Sequence, residues 1–231
     1  MRNDAPNLDM LKLVAQGLGS LVEDVVFVGG CATGLLITDM AAPPTRETRD
    51  VDVIAEIRSH HDYHQLSQEL RSRGFRKDNG PDAIMCCWRF DSVIVDVMPT
   101  EASILGFSNQ WCSKAMKSSQ RLHLPGGVEI RVVAPPLFLA TKLEAFYGRG
   151  KGDLMASHDL EDIIAVLDGR STIAEEVIGA EDVQQYLREE FSNLLSQRAF
   201  LDAIPCHLPA DPISQQRAAV VLNRIREIAK L

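Results

Sequence analysis

The chain has 231 residues, of which 45% are hydrophobic, and its 32 acidic side chains against 24 Lys and Arg give a formal charge of −8. Its length allows a substantial buried core, so we expect a globular protein with one large domain or a domain and a smaller helical lobe. The net negative charge would repel a polyanion, which argues against a general polyanion binder. A nucleic-acid partner would therefore need a local basic patch.

Apolar spacing in the first 134 residues predicts a mixture of helices and strands. In chain order, the predicted elements are a helix over NLDMLKLVAQGLGSLVE, a strand over DVVFVGG, a helix from about Cys31 to Thr38, a loop over MAAPPTRET, a strand over RDVDVIAEI, a helix over HHDYHQLSQELRSRGF that ends near Gly74, a hairpin of AIMCCWRF and SVIVDVMP joined at Asp91 and Ser92, and a strand over Val128–Val133. The region is therefore expected to form a sheet with flanking helices.

The pattern changes at Pro135, after which every periodic segment is helical. These segments are PPLFLATKLEAFYGRG, SHDLEDIIAVLDG, EDVQQYLREEFSNLLSQRAFLDAI and ISQQRAAVVLNRIREIAKL. We predict an α/β domain over residues 1–134 and an all-helical domain over residues 135–231. Because ligand sites favour junctions between lobes, a cleft between these two domains is the expected site.

Three aspartates lie on the predicted strands. Asp50 and Asp52 are two apart, so they project from the same face of a strand, and Asp96 interrupts a second apolar strand. Like charges this close repel unless a cation lies between them, and carboxylates are usual ligands of Mg²⁺. The sequence therefore predicts that the three carboxylates converge on one divalent-cation site.

A glycine pair precedes these acids. In FVGGCATGLL, Gly29 and Gly30 separate a strand from the start of a helix, so backbone N–H groups and the positive end of the helix would face outward together. Such a turn can bind phosphate, although it contains neither a Walker sequence nor GxGxxG and could also be a plain tight turn.

The order of these parts resembles the nucleotidyltransferases of the DNA polymerase β superfamily, in which a Gly-Gly or Gly-Ser strand end is followed by an Asp-x-Asp strand and a third carboxylate strand. Within it, the sequence is most similar to the AbiEii-like branch of toxin–antitoxin toxins, through GGCATGL, RETRDVDV, KLEAFYGRG and HDLEDIIAVLDGR. The resemblance spans about Val25 to Arg170. It implies a polymerase-β-like mixed sheet flanked by helices and followed by a helical lobe.

The resemblance also implies a chemistry and a set of site residues. Two Mg²⁺ ions, or Mn²⁺, would assist transfer of NMP from an NTP to a hydroxyl, with Asp50, Asp52 and Asp96 as catalytic metal ligands. Lys142 would face these acids across the cleft, oriented by Asp159 and Asp162. The residues expected to bind the nucleotide are Gly29, Gly30, Thr33, Arg46, Arg49, Lys142 and Asp159.

The acceptor stays open between several classes. RNA such as tRNA, or a protein, is expected for a toxin, which would have a cognate antitoxin; an antibiotic-like small molecule and a catalytically silent nucleotide- or partner-binding module are the alternatives. Residues 102–128 contain no acid but include Lys114, Lys117, Arg121 and His123, which makes this stretch the candidate contact for RNA phosphates.

The amino-terminal residues and the cysteines indicate the compartment. The sequence MRNDAPNLDMLKLVAQ lacks the apolar core of a signal peptide, and no apolar run approaches the roughly 18 residues of a membrane span. The five cysteines are odd in number and form no CxxC pair, which argues against disulfides or a zinc site and predicts buried thiols. We expect a cytoplasmic protein without a membrane partner.

Overall fold

The computed structural model of the protein describes residues 7–78, 80, 86–106 and 109–230. They form two compact units. The sheet unit comprises the described residues of Asn3–Ala32 and Arg46–Ala134, and the helical unit comprises those of Thr33–Thr45 and Pro135–Leu231. The predicted domains assign residues 33–45 to the first domain, whereas in the structure these residues group with the carboxyl-terminal helices.

The strands of the described residues all belong to the sheet unit. They are β1 (Val25–Val28), β2 (Asp50–Ala55), β3 (Arg76–Lys77), β4 (Cys87–Phe90), β5 (Val93–Pro99), β6 (Gln120–His123) and β7 (Glu129–Val132). They form one mixed sheet in the order β3-β4-β5-β2-β1-β7-β6. β2 is parallel to β5 and β1 is parallel to β7, while the other neighbours are antiparallel.

The helices are distributed over both units. They are α1 (Leu8–Leu18), α2 (Gly29–Leu36), α3 (His60–Ser72), α4 (Ala102–Leu105), α5 (Cys112–Lys117), α6 (Pro135–Tyr147), α7 (His158–Gly169), α8 (Ile173–Ile178), α9 (Glu181–Leu195), α10 (Arg198–Ala203), α11 (Pro212–Gln216) and α12 (Ala218–Ala229), with short 3-10 helices at Gly19–Asp24 and Ile204–His207. No helix in the described part of the chain is long and apolar enough to cross a membrane.

Apolar side chains form the core of each unit. In the sheet unit, α1 packs against β2 and β5, and α5 packs against β1 and β2. In the helical unit, α6, α7, α8, α9 and α12 pack against one another, and Phe138, Phe146 and Phe191 are among their fully buried side chains. Burial of such large apolar side chains is the main stabilising contribution to both units.

The segment of residues 33–45 is attached to the helical unit by hydrogen bonds. The amides of Thr38 and Asp39 both donate to the carbonyl of Gly169 at 2.9 Å. Nη1 of Arg170 donates to the carbonyl of Leu36 at 2.8 Å. Nη2 of Arg217 donates to Oδ2 of Asp39 at 2.6 Å. These bonds explain why the segment belongs with the later helices, from which it is distant in sequence.

The predicted fold class is confirmed: the structure has a mixed sheet flanked by helices and a helical carboxyl-terminal region. The predicted hairpin is present as β4 and β5, joined at Asp91 and Ser92, although residues 83–85 of its first run lie outside the described residues. The five cysteines all lie in the described part of the chain, and no disulfide joins them. Four of the thiols are buried as predicted, but Cys206 is exposed.

Candidate active site

Strands β2 and β5 place three carboxylates on one face of the sheet. In β2, Val51 and Val53 are buried, so Asp50 and Asp52 project from the other face. Strand β5 alternates in the same way, and its Asp96 pairs directly with Asp52 in the parallel register. The predicted convergence of the three carboxylates is therefore confirmed.

The carboxylates of Asp50, Asp52 and Asp96, here called the acid triad, offer ligand atoms that all lie within 4.8 Å of one another. All three side chains are partly exposed, so an ion from solution could reach them. Three like charges at this separation repel one another, and a hard divalent cation offsets the repulsion. Because carboxylate oxygens are the ligands that Mg²⁺ and Mn²⁺ prefer, the donor set fits such an ion. The acid triad could thus hold a metal ion.

Gly29 brings the backbone directly against the acid triad. It follows Val28, the residue of β1 that pairs with Asp52, and it begins helix α2. Its φ of 71° lies in the region that favours glycine, and a Cβ at this position would lie 1.8 Å from Oδ2 of Asp52. Any larger residue would displace the carboxylate. The turn and the metal-ligand position are therefore built together.

Gly30 provides a second close approach, to a cation. A Cβ at Gly30 would lie 2.5 Å from Nη2 of Arg46 and 2.8 Å from Cγ2 of Thr48. The Arg46 guanidinium therefore lies against the start of helix α2, where backbone N–H groups carry partial positive charge. A guanidinium beside a helix N-terminus suits an anionic oxygen ligand such as phosphate.

Two of the predicted nucleotide-binding residues differ in exposure. Arg49 is exposed and directly precedes the acid triad in sequence. Thr33 lies in α2 and is fully buried, so its hydroxyl is not accessible to a ligand in this structure. For both residues, contact with a nucleotide stays a prediction, and for Thr33 it would have to be indirect.

Lys142 and Asp159, also predicted to bind nucleotide, lie in the helical unit. Nζ of Lys142 donates to Oδ1 of Asp159 at 2.9 Å and to Oδ2 of Asp162 at 2.6 Å. These three side chains are at most 7% exposed. Arg149 donates two further hydrogen bonds to Asp159, from Nε at 3.1 Å and from Nη2 at 2.9 Å. We call these four residues the buried charge cluster; Arg149, whose side chain is 71% exposed, is its outer member.

Opposite charges favour the ionised forms of Lys142 and Asp159. Burial alone would lower the pKa of Lys142, but the charges of Asp162 and Asp159 outweigh it and hold the pKa above its usual value. Burial would likewise raise the pKa of Asp159, yet the hydrogen bond from Arg149 and the charge of Lys142 hold it below its usual value. The orientation of Lys142 by the two aspartates is thus observed, while its contact with a nucleotide stays a prediction.

The acid-free stretch predicted to bind RNA is less cationic in the structure than in the sequence. Arg121 on β6 forms an ion pair with Glu23 at 2.9 Å and another with Glu129. Nε2 of His123 lies 3.1 Å from the Glu129 carboxylate. Because Glu23 is 98 residues away in sequence, its contribution could not be read from the local composition.

Sequence reasoning missed two residues beside the site. Thr48 packs its methyl carbon towards Gly30, and its hydroxyl donates to the carbonyl of Asp50 at 3.1 Å. The side chain of Asn7 forms hydrogen bonds with the backbone on both sides of Glu47. Proximity to the Asp-x-Asp pair is the only sequence signal for Thr48, and Asn7 has none because its contacts are 39 and 41 residues away.

Comparisons with known proteins add a distant likeness. Neither a protein-family model nor a curated protein matches the chain. Among solved structures, an antigenic nucleotidyltransferase-like protein from Paracoccidioides brasiliensis is 20% identical, with a TM-score of 0.45 over 70% of this chain and 75% of that one. JHP933 from Helicobacter pylori is 12% identical, with a TM-score of 0.47 over 97% of this chain and 92% of that one. Because both TM-scores lie below 0.5, a function has to be inferred from the residues of the chain itself.

Proposed function

We propose that the protein is a nucleotidyltransferase that uses a divalent cation, Mg²⁺ or Mn²⁺, to transfer NMP from an NTP to a hydroxyl acceptor. The observation that carries the proposal is the acid triad, whose ligand atoms lie within 4.8 Å of one another. Gly29 lies directly beside the acid triad, and any larger residue at this position would displace the Asp52 carboxylate. A cation site joined to a phosphate-type turn is the combination that phosphoryl and nucleotidyl transfer require.

The reaction forms a bond between the acceptor oxygen and the α-phosphorus and breaks the bond from that phosphorus to the β-bridging oxygen, which leaves with its electron pair in pyrophosphate. Bound divalent cations would neutralise charge on the phosphates and on the attacking oxygen. Asp50, Asp52 and Asp96 would hold these cations. Asp96 would lie nearest the acceptor, and its carboxylate would take the proton that the hydroxyl loses.

The remaining binding roles follow from charge and position. The N–H groups at Gly29 and Gly30 would donate to the β- and γ-phosphates, with Arg46 beside them as a cation. The exposed Arg49, next to Asp50 in sequence, would supply a second cation. Lys142 and Asp159 keep the nucleotide-binding role that the sequence resemblance gives them. Their pairing within the buried charge cluster means that a nucleotide would have to compete with carboxylates for the lysine.

The finer proposal is that the protein acts as an AbiEii-like toxin on RNA such as tRNA, or on a protein, under the control of a cognate antitoxin. It is supported by the four sequence motifs between Val25 and Arg170. Expression in a bacterial host tests it: we expect the wild-type chain to arrest growth and D52N not to do so. Equal growth of both strains at equal protein levels would contradict the toxin role.

The central experiment is transfer of label from each of the four α-³²P-labelled NTPs, with Mg²⁺ or Mn²⁺. The acceptors are total RNA, total protein and an aminoglycoside panel. Label in RNA or protein supports the proposed acceptor class, and label in a small molecule supports the alternative enzyme. D52N is the control for contaminating transferases, and EDTA is the control for metal dependence.

Binding without transfer would show a catalytically silent module. Calorimetry with α,β-methylene NTPs separates that outcome, because these analogues bind but cannot release pyrophosphate. An absence of both transfer and NTP binding with either cation would contradict the proposed function.

A further inference from the structure

The segment that carries Arg46 into strand β2 is held by one buried side chain from the start of the chain. Nδ2 of Asn7 donates to the carbonyl of Arg46 at 3.2 Å. The amide of Thr48 donates to Oδ1 of Asn7 at 2.9 Å. The side chain thus bonds the backbone on both sides of Glu47, and Asn7 as a residue is only 4% exposed.

This use of Asn7 is unusual for its position. It is the N-cap residue of α1, where an asparagine oxygen ordinarily accepts a hydrogen bond from an amide in the first turn of its own helix. Among the residues that the structure describes, its side chain makes no such capping bond and contacts the distant segment instead. A planar carboxamide with one donor and one acceptor engaged fixes that segment in one place, because both groups are oriented together.

The held segment carries the groups that lie against the glycine pair. Arg46 and Thr48 both approach Gly30, at 2.5 Å and 2.8 Å from the position of an added Cβ. The hydroxyl of Thr48 also donates to the carbonyl of Asp50, the first residue of the acid triad. Fixing the backbone from Arg46 to Thr48 therefore fixes the point from which the guanidinium reaches the start of helix α2.

We propose that Asn7 is a positioning residue for Arg46, which it holds against Gly30 so that the guanidinium is in place before a triphosphate arrives. The inference rests on the proposed function, since Arg46 is taken as a phosphate contact. Strand pairing of β2 with β5, rather than Asn7, aligns the acid triad. Loss of the Asn7 side chain should therefore weaken triphosphate binding and leave divalent-cation binding unchanged.

A double-mutant cycle tests whether Asn7 acts through Arg46. Affinity for α,β-methylene NTPs with Mg²⁺ is measured by calorimetry for the wild type, N7A, R46A and N7A/R46A. We expect R46A to weaken binding about tenfold to a hundredfold, since a charge-assisted hydrogen bond is lost, and N7A to weaken it about tenfold. N7A should have no further effect in the R46A background. Additive losses would overturn the inference.

Titration with Mn²⁺ provides the matching readout for the cation. The N7A and wild-type proteins should bind Mn²⁺ with equal affinity, and a parallel loss of Mn²⁺ and nucleotide affinity in N7A would also overturn the inference. N109A is the control, because Asn109 is another asparagine of the sheet unit, less buried than Asn7, whose side chain also accepts a hydrogen bond from a backbone amide, that of Trp111. Its removal should change neither affinity.

Hydrogen exchange followed by NMR tests the anchoring without any nucleotide. In N7A, the Thr48 amide should exchange at least tenfold faster, while the amides of Val51 and Val53 within β2 keep their rates. Unchanged exchange at Thr48, or equal acceleration throughout β2, would overturn the inference. If the wild type binds no NTP with either cation, the proposed function fails, and the exchange rates alone then decide whether Asn7 anchors the segment.

Discussion

The two clusters of aspartates in this molecule are built on opposite principles. In the helical unit, the buried charge cluster balances the carboxylates of Asp159 and Asp162 with the cations Lys142 and Arg149. In the sheet unit, the acid triad brings three carboxylates within 4.8 Å of one another on a partly exposed face. The first arrangement neutralises charge within its own unit, and the second concentrates charge of one sign.

The difference between the two clusters indicates which of them has a structural role and which has a functional one. A buried ion pair whose charges balance can have a purely structural role. Each partner is then needed because its removal leaves the other charge buried and uncompensated, which destabilises the folded protein. Like charges on a partly exposed surface repel one another and so do not stabilise the fold by themselves. A cation that binds them in the folded state stabilises the protein. We therefore expect the proposed chemistry at the acid triad. Substitutions in the two clusters should differ in the sign and size of their effects, and the largest effect is expected at Asp52.

Replacing Asp52 by asparagine should remove the proposed transfer activity. The change deletes a metal-ligand charge, and the loss of several kcal/mol of transition-state stabilisation corresponds to roughly a thousandfold or more in rate. Single-turnover transfer from an α-labelled NTP measures it, with circular dichroism as the control for folding. Full activity in D52N would show that the acid triad is not the catalytic centre.

Replacing Lys142 by methionine should strongly destabilise the protein. The side chain keeps a similar volume but leaves two buried carboxylates without the ammonium, at a cost of about 3–5 kcal/mol in the free energy of unfolding. Urea denaturation measures this cost. A second change, D162N in the K142M background, should recover part of the loss because it removes one of the buried charges; no recovery would contradict the electrostatic explanation.

The pH dependence of stability should show both ends of this interaction. The pKa of Asp159 is held below 3.8, so its contribution is present above that value and lost as pH falls through the lower folded pKa. The pKa of Lys142 is held above 10.5, so its contribution is complete below that value and lost as pH rises through the folded pKa.

The difference in unfolding free energy between the wild type and K142M should be largest from about pH 7 to 10. It should shrink above this range because Lys142 of the wild type loses its proton, and below it because the buried carboxylates of K142M take up protons and lose their uncompensated charge. Urea denaturation at a series of pH values measures it. A difference that stayed constant down to about pH 4 would mean that uncompensated buried charge is not the cause of the loss.

Neutralising Asp50 should have the opposite sign to K142M. In EDTA, D50N should be more stable than the wild type by about 1 kcal/mol, the size of the repulsion between unit charges at this distance in a largely aqueous dielectric. Thermal unfolding measures it. Added Mg²⁺ should stabilise the wild type more than D50N, because only an ion bound to the folded state raises its stability. Destabilisation by D50N in EDTA would mean that Asp50 stabilises the fold, as the members of the buried charge cluster do.

The smallest effect is expected for R149A. The Arg149 side chain is 71% exposed, so solvent screens its ion pair with Asp159, and the loss should be below about 1 kcal/mol. Urea denaturation beside K142M measures the ratio of the two effects. Comparable losses would mean that the outer cation contributes as much as the buried one.

Local periodicity predicted the parts of the fold that carry the acid triad. Alternation along RDVDVIAEI and SVIVDVMP identified both strands, and it also placed the acids on the face away from Val51 and Val53. The sequence could not show that Asp52 and Asp96 are paired in register, but two acid-bearing apolar strands in one sheet made their convergence a reasonable expectation.

Short elements and contacts between residues distant in sequence could not be predicted. The short elements α4, α5 and β6, between Ala102 and His123, have too few residues for a periodic pattern. Arg121 looked like a free cation because Glu23, its partner, is 98 residues away. The surroundings of Lys142 were partly predictable, since the spacing of Asp159 and Asp162 puts both on one helix face, but the depth of their burial was not.

The attachment of residues 33–45 to the later helices determines when the protein can finish folding on the ribosome. The carbonyl of Leu36 accepts its hydrogen bond from Arg170, which lies 134 residues later in the sequence. The carboxylate of Asp39 accepts one from Arg217, which lies 178 residues later. The sequence as far as Arg217 must therefore be synthesised before this segment has these partners, whereas strands β1 to β7 are complete by Val132. A fragment ending at residue 134 would lack these partners, so we expect nascent chains of that length to be more prone to aggregation than chains that extend past Arg217.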